Sequence, residues 1–503
     1  AAVAVLVADT AAGAIAAIAI AVAGFATASL ISSVASLRWQ PVLQVALALI
    51  LTPAVVHVAV HGGRERTTLL ELAALSLTVT VQARRPALVF AGWVLVAPLF
   101  QLAARANPIG YWANTALYLA PPILFALWTV TPRRGRQRAA RLVDVFPLAY
   151  LLLALGSLMF SKWAVQTGYK PAVDQLYQYT GIGVIGYYFC AFGPVRARLP
   201  RYFASAFVVS GFIIGSLAVI EFLTHWTLWG NEQPAGQEFR AVATLSGSGV
   251  LGAFLGAAIA LATAILLWDG PRSLRLPSIA TLAVTVPGIF FTLTRGPILA
   301  ALIVVAAMIA VRRSGVRWIW AGVAILTAVA IVMSWGAISS TSVYKNRVTQ
   351  RSNVEGRLLI DSWSIKLFER RPITGYGYGS FDAVKNAAQL SPGNLPLASG
   401  IDYTSHNTFL TILVELGALG LLLLAFPWLK VTYEALRGVM SRSVPDPWLV
   451  VGCAGMVGTY VLTGLSTDMR FFSIVPALAW IAVGMMRGQL LLGSERREEA
   501  APR

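Results

Sequence analysis

Long apolar blocks separated by short polar links run the length of the chain. The blocks fall at about 8–30, 41–60, 68–82, 87–104, 113–131, 143–161, 178–193, 202–224, 243–268, 277–294, 297–311, 318–338, 406–428, 447–465 and 471–487. Most reach or approach the roughly 20 residues a helix needs to cross a bilayer. The blocks stay apolar throughout, so the alternation of a β-barrel strand is missing. Those at 68–82 and 297–311 are short for a span, which sets the expected number at roughly 12–15 transmembrane helices. The pattern predicts an all-α polytopic membrane protein. Composition points the same way: of 503 residues, 57% are hydrophobic and 12% charged, against about 25% charged in an ordinary soluble chain. That excludes a soluble enzyme, a secreted disulfide scaffold and a disordered chain.

A net charge of +18 suggests a polyanion partner only until the positions are read. Arg38, Arg84 and Arg85, the cluster from Arg133 to Arg141, Arg196 to Arg201, Arg272 and Arg275, Arg312 to Arg317, Lys430 to Arg442, and Arg487 to Arg503 occupy alternate short links and the C-terminal end. Basic short loops stay on the cytoplasmic side of a membrane, so the charge reports orientation and nucleic acid is not implied. The C-terminus is then inside and the long link of about 339–405 outside. The expected organisation is an N-terminal membrane bundle over 1–338, an extracytoplasmic loop over 339–405, membrane helices over 406–487 and a cytoplasmic tail over 488–503. Cys190 and Cys453 both lie in apolar blocks and have no metal-ligand spacing.

A link of that length in a compact protein is usually functional. Within it, 357–370 reads as an amphipathic helix, with Leu359, Trp363 and Leu367 on one face. Pro372 stops it, and the Trp-bearing face suits the outer membrane surface. The run Gly375-Tyr376-Gly377-Tyr378-Gly379 lacks the Lys-Ser/Thr of a phosphate loop and reads as a tight turn.

Ionisable residues near the outer ends of spans are costly and therefore informative. Arg295, in Thr294-Arg295-Gly296-Pro297, stands at an outward-facing helix N-terminus, with Pro297 suited to the first helical position. There it is either an anion-binding group supported by the helix dipole or an arginine snorkelling to headgroups. Arg357 opens the loop helix, as a solvated charge or a second anion contact. His406 begins the next span, with Thr404 or Ser405 as N-cap. It is either a neutral base, because a helix N-terminus disfavours imidazolium, or a helix anchor. Glu415 is in the same span, but nine residues at about 100° each place it opposite His406 and about 13 Å deeper. It cannot share a contact surface with His406 unless the helix is broken, and it reads as a buried structural partner for a neighbouring helix. His57, His61 and His225 have no ligand-like companions, so no metal site is expected. The pairs Gly211/Gly215 and Gly252/Gly256 read as close-packing positions.

In order, Leu293-Thr294-Arg295-Gly296, Gly356-Arg357-Leu358 with Trp363, the stretch Arg371-Pro372-Ile373-Thr374-Gly375 through Ser380-Phe381, and His406-Asn407 with Leu410, Glu415, Gly417 and Gly420 resemble the O-antigen ligase and polymerase superfamily. These are bacterial envelope glycosyltransferases. The resemblance covers about 240–428. It departs at Arg371-Pro372, where the family usually has Asn-Pro. Arg240 also resembles a position common in the family.

The resemblance implies a GT-C-like fold, with one long extracytoplasmic loop carrying an amphipathic helix. It implies transfer of an oligo- or polysaccharide from a polyprenyl diphosphate carrier to a hydroxyl of a glycan, lipid or protein acceptor, with membrane lipids around it. No cofactor and no metal are implied. Arg295, Arg357 and Arg240 would hold the diphosphate, and His406 would act as base. Polymerisation of lipid-linked repeats uses the same chemistry. A lipid-linked glycan flippase or transporter would also explain many spans, with Glu71 and Glu415 as its buried charges, and a scaffold for an envelope complex would explain the loop but not Arg295.

Overall fold

A computed structural model describes residues 86–99, 101, 141–193, 195–227, 239–312, 352–387, 405–470 and 474–500. The expected spans at 8–30, 41–60, 68–82, 113–131 and 318–338, with Glu71, His57 and His61, lie outside these residues. The described helices are α1 (Pro86–Val96), α2 (Phe146–Ser157), α3 (Lys162–Thr167), α4 (Tyr169–Leu176), α5 (Ile182–Phe192), α6 (Leu199–Thr224), α7 (Ser248–Leu267), α8 (Arg272–Phe291), α9 (Arg295–Val311), α10 (Ser352–Arg370), α11 (Phe381–Ala387), α12 (Thr408–Met440), α13 (Pro447–Gly464) and α14 (Ile474–Ala500). Among the described residues seven helical segments are long and apolar enough to cross a membrane, and α9 and the 86–99 segment are shorter apolar helices. The protein is an all-α polytopic membrane protein.

Two compact units divide the chain. The first holds residues 1–134 and 192–210, and in it Phe90 packs on Phe203 at 6.4 Å between ring centroids. The second holds 135–191 and 211–503 and contains every described residue of the expected site.

In the second unit α7 is the central helix, buried almost throughout from Val250 to Leu267, with α8, α9 and α13 packed around it. Small residues let these helices approach: Gly211 lies against Ala258 and Thr281, Gly252 against Pro297, and Gly256 against Thr459. Helices consecutive in the chain run antiparallel, so α7 and α9 start at the same end. Ser248, Thr294 and Gly296 sit with the end of α13 and the start of α12. The opposite end is fastened by Arg312–Asp269 (2.8 Å) and by Asp446 N donating to Gln489 Oε1 (3.0 Å).

Three expectations change here. The loop helix starts at Ser352 rather than 357, and its apolar face is not laid on a membrane. Ile360, Trp363 and Leu367 are buried with Phe381, Val384 and Val414, because α11 and α12 offer that face a protein partner. The residues after 487 continue α14 as helix to Ala500. Arg487, expected among exposed basic residues, is 1% exposed and donates to both oxygens of Asp144 (2.8 and 2.7 Å). A buried guanidinium needs such a fork to offset its desolvation.

Candidate active site

The link between α13 and α14, residues 465–470, gathers the three segments that carry Arg295, Arg357 and His406. Arg295 is the first residue of α9 and is exposed. Its neighbour Gly296 lies so close to Ser466 that a Cβ there would overlap the Ser466 hydroxyl. Arg357 is exposed on α10 and donates from Nη1 to the Ser466 carbonyl (3.3 Å). Thr408, at the start of α12, donates to Thr467 O (3.0 Å) and accepts from Met469 N (2.9 Å). His406 precedes Thr408 by two residues, at most about 7 Å of chain. Both expected arginines therefore touch or adjoin one residue, Ser466, and the histidine stands on the neighbouring clamp.

Local structure explains each placement. Thr294 is N-cap to α9, yet its hydroxyl donates to Ser248 Oγ (3.2 Å) and to Thr292 O (3.0 Å) rather than capping the helix. Pro297 is third in α9, not first, and still lacks only an N–H that the first turn could not use internally. The start of α9 thus presents backbone N–H dipoles beside Arg295. The expected caps of α12 are corrected too. Asn407 is the N-cap, its side chain accepting from Phe409 N (3.0 Å) and Leu410 N (3.2 Å). Ser405 instead braces Asn407, donating to its carbonyl (3.1 Å) and accepting from its N–H (3.2 Å). Thr404 lies outside the described residues.

Arg240 reaches the same end by another route. Ala241 N donates to Phe291 O (3.0 Å), at the end of α8, and the chain then runs into α7 at Ser248, the partner of Thr294.

Positive charge is concentrated here. The Arg357 guanidinium is held below its usual pKa, first by desolvation and then by the charge of Arg295, with Asp361 one helical turn on pulling it back. Two like charges this close repel, so an anion bound between them is favoured.

The sequence reading missed what anchors this platform. Arg470 forks onto Asp468, with Nε donating at 3.0 Å to Oδ1 and Nη2 at 2.8 Å to Oδ2, and its Nη1 donates to Glu415. Glu415 also accepts from Gly379 N (2.8 Å) and Phe381 N (3.0 Å). It is buried and structural as expected, and its partners are the glycine turn, the first residue of α11 and Arg470 of the 465–470 link, which it ties together. α12 is broken at Gly417, whose φ is 67° and ψ −170°, but the break lies beyond Glu415 and does not bring it to His406. The break frees backbone groups, and the glycine turn takes them up. Tyr376 N donates to Val414 O (3.0 Å), Gly377 N to Glu415 O (2.8 Å), and Ala418 N to Pro372 O (2.7 Å). Gly375, Gly377 and Gly379 all have positive φ, so the turn can lie between α12 and the start of α3, where a Cβ would collide with Glu415 on one side or with Ser161 or Trp163 on the other.

Residues 280–425 match the model of the O-antigen ligase family. This segment is an O-antigen ligase domain. It takes in Arg295, Arg357, His406, Glu415 and the glycine turn, while Arg240 and the 465–470 link lie outside it. Through this segment the chain is similar to the O-antigen ligase family. No curated protein matches the chain.

Proposed function

We propose that the protein moves an oligo- or polysaccharide from a polyprenyl diphosphate carrier to an acceptor hydroxyl on the extracytoplasmic face of the cytoplasmic membrane, as an O-antigen ligase. The observation that carries this reading is the convergence on Ser466 of Arg357 and of Gly296, the residue beside Arg295, at the start of α9. In the step envisaged, His406 accepts the acceptor hydroxyl proton and the oxygen attacks the anomeric carbon. The bond from that carbon to the diphosphate oxygen breaks, and the diphosphate leaves with the electron pair. Arg295, Arg357, Arg240 and the N–H groups at the start of α9 stabilise the growing negative charge without a metal. A single displacement inverts the anomeric centre. The basic short links, including Arg272, Arg275 and Arg312, lie at the opposite end of the helices, which supports an outward-facing site and a cytoplasmic C-terminus.

A polymerase would run the same step with a second lipid-linked repeat as acceptor. The flippase reading is weakened because Glu415 is occupied by Arg470 and two backbone N–H groups, and so is not a carrier's exchangeable charge. Purified protein incubated with a polyprenyl diphosphate-linked glycan distinguishes them. Glycan transferred to an acceptor with release of polyprenyl diphosphate supports the proposal, whereas lipid movement across vesicles without transfer overturns it.

A further inference from the structure

Glu221 lies one turn from the end of α6 and is 3% exposed. Its Oε2 accepts from Val242 N (3.0 Å) and from Ala243 N. Its Oε1 is buried with no hydrogen-bond partner among the described residues. A carboxylate buried near the end of a span is costly and persists where it does work for the fold or the site. The backbone it holds is strained as well: Ala243 has a φ of 51°, in the left-handed region that alanine rarely enters. Together with Ala241 N on Phe291 O, the three N–H groups that follow Arg240 are each fixed. Two of them are fixed by Glu221.

We propose that Glu221 is the positioning residue for Arg240. By gripping the N–H groups of Val242 and Ala243 it sets the bend at 240–243, which directs the Arg240 guanidinium toward the diphosphate at the start of α9. The strain at Ala243 is held by that grip, because without the carboxylate the bend has no reason to keep a positive φ. This rests on the donor-site reading above. Glu221 itself touches no substrate and acts only through Arg240.

The test measures undecaprenyl diphosphate binding to the full chain in lipid nanodiscs, alongside its thermal unfolding. The variants are Glu221→Ala, Glu221→Gln, Arg240→Ala, Arg295→Ala, and each Glu221 variant combined with Arg240→Ala. Loss of two hydrogen bonds to a charged acceptor predicts binding weakened roughly tenfold to a hundredfold by Glu221→Ala. Glu221→Gln keeps an acceptor oxygen and should lose only about threefold. In the Arg240→Ala background both Glu221 changes should have almost no further effect, as expected of residues acting through one contact. If Glu221→Ala does not fold, the same coupling is read from Glu221→Gln. Additive losses, or wild-type binding by Arg240→Ala or by the folded Glu221 variants, overturn the positioning role. Wild-type binding by Arg295→Ala would instead overturn the donor-site reading itself.

Discussion

Replacing Glu415 by alanine removes the acceptor of three hydrogen bonds at once, from Gly379 N, Phe381 N and Arg470 Nη1. Glu415 is fully buried, so water reaches the vacated groups poorly. Each orphaned backbone N–H costs about 1–3 kcal/mol, and the lost bond to Arg470 about 1.5–3 kcal/mol, because Asp468 still holds that guanidinium. The total is of order 5 kcal/mol, comparable with the about 5–15 kcal/mol that keeps a domain folded. Gly379 N and Phe381 N donate to different oxygens of Glu415, so Glu415→Gln keeps an acceptor for only one of them and loses the charge opposite Arg470, about 2–4 kcal/mol. Thermal unfolding in detergent should therefore rank wild type above Glu415→Gln and Glu415→Ala last. Transfer should fall in the same order, because the glycine turn and the 465–470 link separate when Glu415 goes. Unfolding of Glu415→Ala at the wild-type temperature, with transfer intact, would refute the view that this carboxylate anchors the platform.

Arg295→Ala, Arg357→Ala and His406→Ala should each abolish transfer while expression and unfolding temperature stay near wild type, since Arg295 and Arg357 are exposed and make few structural contacts; loss of a transition-state charge contact alone is worth roughly a hundredfold to a thousandfold. Gly417→Ala should prevent stable folding, because a Cβ there meets the Ile373 carbonyl at a φ of 67°; a folded, active variant would contradict the helix break. Burial raises the Asp361 carboxyl above its usual value of 3.8, with Arg357 opposing. Its raised folded pKa favours the protonated form, so its contribution is fully present below about pH 3.8 and is lost as pH rises through the raised value. Asp361→Asn should flatten that acid dependence of unfolding without lowering stability at pH 7. A chelator should leave transfer unchanged, and strict dependence on a divalent ion would count against an arginine-held diphosphate.

Uniform apolar blocks made the spans legible, and the turn chemistry of Thr294-Arg295-Gly296-Pro297 placed Arg295 at a helix start without any tertiary knowledge. Period-3.6 spacing revealed the apolar face of α10 but not what covers it; Trp363 and Val414 share one buried cluster only because α12 returns past α10. The 465–470 link escaped notice for a related reason. Its backbone carbonyls and N–H groups do the gathering, and backbone groups leave no mark in residue identity. Arg470 is separated from Glu415 by 55 residues, and such pairings depend on how the helices are arranged. Gly417 gave no sign of a break, since nothing in an isolated glycine distinguishes close approach from one. Arg487 read as a loop charge because its partner, Asp144, lies 343 residues away.

The most direct measurement is a structure of the protein with a polyprenyl diphosphate bound. The account predicts diphosphate oxygens within hydrogen-bonding distance of both Arg295 and Arg357, beside Ser466, with His406 on the side from which an acceptor hydroxyl would approach. A diphosphate held elsewhere, with either arginine turned away from it, would contradict the account.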